Sequence, residues 1–127
     1  MKPEEIKQRM EAFTAIENLY GYFFTEDHHL CLSDGAYFIL KECNAAWFFD
    51  MILYMQLCPP FNENPIQIWT LKNLGSEVWR LECINENSEI LTSRTIPDLD
   101  FPIDELTIIV DDEIVRLPAE HIPDARR

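Results

Sequence analysis

IQIWTLKNLGSEVWRLECI, residues 66–84, decides the fold class of this chain. Its first arm, Ile66-Gln67-Ile68-Trp69-Thr70-Leu71, alternates along the chain. So does its second, Glu77-Val78-Trp79-Arg80-Leu81-Glu82-Cys83-Ile84, with Trp79, Leu81 and Cys83 on one side. A two-residue period is the mark of a strand, because successive side chains leave opposite faces of a sheet. Asn73-Leu74-Gly75-Ser76 supplies turn residues between the arms. The first arm is apolar on both sides, Ile66 and Ile68 against Trp69 and Leu71. Such a strand is either central in its sheet or in contact with a partner.

The same period continues toward the C-terminus. Asn85-Glu86-Asn87-Ser88 is a turn into a strand over Glu89–Ile96, and Pro97 to Pro102 is a loop. Leu106–Val110 is rich in β-branched residues, and Ile114–Leu117 follows the acidic turn Asp111-Asp112-Glu113. Four or five sequential strands most simply form an antiparallel meander.

The first half of the chain has a different period. Ile6, Met10 and Phe13 recur at helical spacing behind Pro3, Glu4 and Glu5, which suit a first turn. Tyr22–Phe24 and His29–Leu32 flank Thr25–His28 as a short hairpin. Ser33 or Asp34 caps a long apolar segment from Ala36 to Leu57 that is hydrophobic on nearly all sides, hence buried. A break near Asn44 divides it into two helices, and Cys58-Pro59-Pro60 ends it. The expected class is therefore α+β: N-terminal helices packed on one face of a four- to five-stranded, mostly antiparallel sheet. The 127 residues read as a single domain with 123–127 as a frayed tail.

Charge is the outlier in the composition. Twenty-three acids against ten bases give −13. Between Arg94 and Arg116 there is no base, and the window holds Asp98, Asp100, Asp104, Glu105, Asp111, Asp112 and Glu113. A surface of this sign repels nucleic-acid backbones and anionic membranes and attracts basic proteins. A coat that only confers solubility is the alternative reading. The N-terminus lacks an apolar leader, the longest apolar stretch is too short for a bilayer, and four scattered cysteines read as reduced thiols. The expected location is cytoplasmic.

The sequence shows no recognisable catalytic centre. Only Gly21, Gly35 and Gly75 are present, far apart, so no phosphate-cradling loop can be built. His28 and His29 are adjacent and point to opposite faces of a strand, and His121 is remote. The cysteines show no paired spacing, so no metal or other cofactor is expected. Asp98/Asp100 and Asp111–Glu113 read as solvated turn carboxylates rather than a hard-cation site. Cys31 with His29 is the best local nucleophile–base pair, but a buried cysteine beside a surface histidine is the preferred reading. Asp50, alone in an apolar helix, is either a buried, perturbed carboxylate or the acceptor of a structural hydrogen bond.

Five short segments occur in a telling order: Ser33-Asp34-Gly35, Ala45-Ala46-Trp47-Phe48-Phe49-Asp50, Gln67–Leu71, Asp100-Phe101-Pro102-Ile103 and Leu117-Pro118-Ala119-Glu120-His121. The ordered set, over roughly residues 13–121, resembles a family of small uncharacterised bacterial proteins, a domain of unknown function common on plasmids and mobile elements. The chain departs from it in having His121 where an aromatic is usual, and in a middle helix richer in cysteine and methionine. The resemblance implies no activity and no catalytic residues. It implies a mobile-element setting.

Three functional expectations follow. The first is a non-enzymatic inhibitor, anti-CRISPR-like or otherwise anti-defence. Its acids 98–113 would occupy the nucleic-acid groove of a basic protein partner, without direct contact to nucleic acid or membrane. An immunity protein against a basic toxin is a variant of this. The second is a small enzyme or ligand-binding domain with a pocket between helix 36–57 and the sheet, lined by Asp50, Trp47 and Trp69. The third is a structural subunit or homodimer.

Overall fold

A computed structural model describes residues 2–121. The expectation of a frayed tail at 123–127 falls outside the described residues. Helix α1 (Pro3–Glu11) leads into the hairpin β1 (Tyr20–Thr25) and β2 (His28–Leu32). Helices α2 (Asp34–Glu42) and α3 (Ala46–Met55) follow, and a 3-10 turn at Phe61–Glu63 precedes β3 (Ile66–Asn73). Strands β4 (Val78–Asn85), β5 (Ile90–Pro97), β6 (Glu105–Asp111) and β7 (Ile114–Arg116) complete the described chain.

The α+β class holds, and the break in the long apolar segment is real. Asn44, at φ 51°, takes the left-handed conformation that asparagine tolerates and turns the chain between α2 and α3. Ser33 caps α2, its Oγ accepting from the Ala36 N–H at 3.0 Å.

The sheet differs from a four- to five-stranded meander in two respects. Among the described residues it has seven strands, ordered β1-β2-β7-β6-β3-β4-β5. The early hairpin joins it because Cys31 and Leu32 of β2 pair in parallel with Ile114 and Val115 of β7. The strand order is also not sequential, since β6 pairs with β3 instead of β5. The connection after β5 passes the ends of β4 and β3, and buried Phe101 and Ile103 anchor it against the core. All other ladders between named strands are antiparallel.

One face of the sheet carries the core. Trp69 and Leu71 of β3, Leu81 and Cys83 of β4, and Leu106, Ile108 and Val110 of β6 are buried with Ile39, Phe48, Phe49 and Ile52 from α2 and α3. Trp69 stacks on Phe61 at 5.5 Å, and Phe101 meets the edges of Trp47 and Trp79. The opposite residues of β3, Ile66 and Ile68, lie on the other face and are half-buried. The first arm of the opening sequence is therefore interior in the sheet and apolar on both faces.

The cysteines are free thiols, as read from their spacing. Burial, with Glu42 nearby, pushes Cys43 up to about 11, and burial pushes Cys83 up to about 12. Both stay protonated at neutral pH. Among the described residues, no helix is long and apolar enough to cross a membrane.

Candidate functional site

The acids of the 98–113 window do not form one cluster. β6 runs between them, and its seven residues hold Glu105 and Asp111 roughly 20 Å apart at ~3.4 Å per residue. Asp98, Asp100, Asp104 and Glu105 gather at one end of the sheet, and all four are exposed. There Asp104 is tied to β3, its Oδ1 accepting from Asn73 Nδ2 at 3.3 Å and its carbonyl from the Asn73 N–H at 2.8 Å. A groove of about 500 Å3 at this end is lined by Lys7, Met10 and Glu11 of α1 together with Asp104 and Glu105.

Asp111, Asp112 and Glu113 occupy the opposite end, on the β6–β7 turn. Other turns bring acids outside the window to the same end. The parallel β2–β7 pairing sets the β1–β2 turn beside this one, with Glu26 and Asp27. The antiparallel ladders from β6 to β5 add the 3-10 turn with Glu63 and the β4–β5 turn with Glu86 and Glu89. Seven of these eight carboxylates are exposed; Asp111 is half-buried, with Arg116 Nη2 at 3.9 Å. None of the four turns contains a Lys or Arg. The C-terminus of α3 also faces this end, where the Leu53 carbonyl accepts from His28 Nε2 at 2.7 Å. A helix C-terminus adds partial negative charge. The strand register, invisible in a linear count of charge, is what assembles this end.

His28 and His29 do point apart. His28 turns toward α3, while His29 lies against Phe23 on the other face, ring centroids 4.8 Å apart. The described residues hold no group of three or more His, Cys, Asp or Glu that could grip a metal ion.

Asp50 is exposed, which corrects the buried alternative. Its carboxylate accepts from the Tyr22 hydroxyl, the structural role, and joins α3 to β1. Burial, then this bond to a carboxylate, raises the Tyr22 pKa well above its ordinary value. Between helices and sheet, Phe48, Phe49 and Ile52 of α3 are fully buried in one cluster with Trp69 and Leu81. An open groove of about 540 Å3 lies instead between α3 and the edge strand β5, lined by Trp47, Asp50, Met51, Tyr54 and Arg94 among others. Trp69, expected in such a pocket, is fully buried elsewhere.

The segments that carried the resemblance turn out to be fastenings. Glu120 is fully buried. Its carboxylate accepts from the Ser33 hydroxyl, the Gly35 N–H at 3.0 Å and the Leu117 N–H at 2.9 Å. Gly35 is required there, since a Cβ would lie 2.5 Å from Glu120 Oε1. Asp34, beside it, accepts from the N–H groups of Glu17 at 2.9 Å and Asn18 at 3.1 Å. Partial burial pushes the Asp34 carboxyl up, but these donors outweigh it and hold its pKa below the usual value. Gln67, also fully buried, donates to Gln56 Oε1, the Phe61 carbonyl and the Asn64 carbonyl, and accepts from Trp69 Nε1 at 3.0 Å. Every partner in these two clusters has a structural task, and neither cluster presents a free acid, base or nucleophile to a groove.

A family of unknown function (DUF6876) matches residues 4–121, and the chain belongs to that family. No curated protein and no solved structure matches it.

Proposed function

We propose, with family membership as the premise, that this chain is a non-enzymatic acidic binding protein. Its working surface is the sheet end built from the β1–β2, β4–β5 and β6–β7 turns and the 3-10 turn before β3. The observation that carries this reading is the convergence of eight carboxylates from four separate turns that contain no Lys or Arg. Carboxylates held on rigid turns make charge-assisted bonds to guanidinium groups of the same kind that phosphates make. The fitting partner is a basic protein whose own ligand is a nucleic acid, and occupation of that groove makes the chain an inhibitor. An anti-defence protein of a mobile element and an immunity protein against a basic toxin would both use the surface in this way. Of the acids expected from the sequence, Asp111, Asp112 and Glu113 belong to this surface, while Asp98, Asp100, Asp104 and Glu105 form a second, smaller one.

The test compares the two ends. Tagged chain is incubated with cell lysate at rising salt, beside a triple variant Asp111→Asn/Asp112→Asn/Glu113→Gln and a quadruple variant Asp98→Asn/Asp100→Asn/Asp104→Asn/Glu105→Gln. The expected result is salt-sensitive retention of a basic protein, lost in the triple variant and kept in the quadruple one. The retained protein should release its nucleic acid when the chain binds. Failure to retain any basic protein at low salt, or equal loss in both variants, would sink the proposal.

A second reading rests on the groove between α3 and β5, which does bring Trp47 and Asp50 together with Arg94. It is a ligand-binding reading, supported by aromatic and thioether walls with two opposite charges.

A further inference from the structure

The helix-free face of the sheet carries a ladder of isoleucines. Ile68 of β3 is directly opposite Ile109 of β6 on one side and Ile84 of β4 on the other, and Ile84 pairs with Ile90 of β5. Ile66 extends the patch along β3. Ile66, Ile68, Ile84 and Ile109 are half-buried, and Ile90 is 63% exposed. None of them belongs to the core cluster or packs against it. A solvated sheet face ordinarily carries polar residues at these positions.

The flanks of the ladder differ in charge. Toward one end of the strands, Lys72 of β3 lies opposite Arg80 of β4, a like-charge pair that destabilises a ladder unless it is neutralised. Glu105 lies across from Lys72, whereas Arg80 has Thr95 on its outer side. Toward the other end lie Asp111 and the β4–β5 turn with Glu86 and Glu89.

We propose that this face binds a second copy of the chain, two sheets packing face to face across the isoleucine ladder. A two-fold axis along the ladder keeps each strand over its own counterpart and reverses its direction. Ile68 and Ile84 then meet their own copies at the centre. Arg80 of each protomer, whose nearest acid on its own strand face is Glu82, is turned onto the β4–β5 turn of its partner, which adds the counter-charge of Glu86 and Glu89. Twisted sheets stack in this way about 10 Å apart with strands within about 30° of alignment. The four strands of the ladder at ~4.8 Å and seven residues at ~3.4 Å give a face roughly 19 by 24 Å. That is more than half of the ~800 Å2 per partner of a standard stable interface. The Glu26–Asp27 turn lies beyond the ladder and stays free for the proposed basic partner.

The experiment is the mass of the intact chain in solution, by light scattering on a sizing column and by sedimentation equilibrium. The expected value is twice the chain mass of 15.0 kDa. Ile68→Lys combined with Ile84→Lys should give a monomer with an unchanged far-ultraviolet circular dichroism spectrum. Arg80→Glu should weaken the dimer about tenfold, and adding Glu86→Lys and Glu89→Lys should restore it. A purely structural role for Arg80 would give no such rescue. A wild-type monomer throughout the micromolar range overturns the proposal. So does a dimer that survives the ladder substitutions but falls to Phe23→Lys, because that result moves the contact to the β1 edge.

Discussion

Glu120 and the carboxylates of the β6–β7 turn lie seven to nine residues apart in sequence and sit in opposite surroundings. Glu120 has no solvent and three donors, from Ser33, Gly35 and Leu117. Asp112 and Glu113 stand exposed on a turn that no base shares. The contrast separates two uses of negative charge. Enclosed, a carboxylate organises the chain around itself, and its removal strands every group that faced it. Exposed, it costs the fold almost nothing and is available to an outside partner.

The largest expected effect tests the enclosed side. Glu120→Ala leaves a hydroxyl and two backbone N–H groups buried without acceptors, and should lower unfolding free energy by about 3–5 kcal/mol in urea denaturation. A loss no greater than that of an average surface substitution would erase the contrast. Next in size is Gly35→Ala. Its Cβ would stand 2.5 Å from Glu120 Oε1 and 2.6 Å from Leu117 Cδ1, so the latch must spread. A cost of about 2–3 kcal/mol is expected, and Gly75→Ala, with φ 93° and nothing within 4 Å of the added carbon, shows by comparison what backbone strain alone costs.

The third effect is smaller and depends on pH. The Asp34 carboxyl is held below its ordinary pKa in the folded chain, so its contribution to stability is complete above the unfolded value near 4 and fades as pH falls through the folded one. Asp34→Asn should remove that part of the acid limb, measured as a melting temperature that declines less steeply below about pH 4. An acid limb of unchanged slope would show that the donors from Glu17 and Asn18 are immaterial. The smallest effect belongs to the exposed side. Neutralising Asp111, Asp112 and Glu113 together should change stability by no more than ~0.5 kcal/mol, in the stabilising direction at low salt, while partner retention disappears. A loss of several kcal/mol would make these acids structural after all.

The parts of the fold that were legible are those whose signal is local. The Ala36–Leu57 segment declared two buried helices through its apolar circumference and the break at Asn44, and the later strands declared themselves by alternation in Ile66–Leu71 and Glu77–Ile84, by the turn before Glu89–Ile96 and by β-branched residues in Leu106–Val110. Strand order was hidden because it depends on contacts between distant residues. Nothing in Leu106–Val110 says that it lies beside Ile66–Asn73 rather than after Glu89–Ile96. The hints were Phe101 and Ile103, two apolar residues in a proline-bounded loop. The attachment of the β1–β2 hairpin rests on two register pairs, too few to show as a pattern. The acidic site was half legible for the same reason. A linear window joined Asp98–Glu105 to Asp111–Glu113, which the strand between them drives apart, and omitted Glu26, Asp27, Glu63, Glu86 and Glu89. Of the two readings of Asp50 the structural hydrogen bond is the one found, and the carboxylate is exposed because an apolar helix at the margin of a core still has one wet side.

The parallel pairing of β2 with β7 has a consequence for how the chain acquires its shape. The last strand enters the middle of the sheet, and the bond between Ser33 and Glu120 spans 87 positions. Closing so long a loop early is entropically unfavourable, and chains dominated by such distant contacts fold slowly. During synthesis the hairpin and the two helices must therefore wait, apolar surfaces unmatched, until β7 and Glu120 have left the ribosome. A chain cut a few positions before Glu120 would lack the bolt that holds the early half to the late one, which should expose both halves to proteolysis.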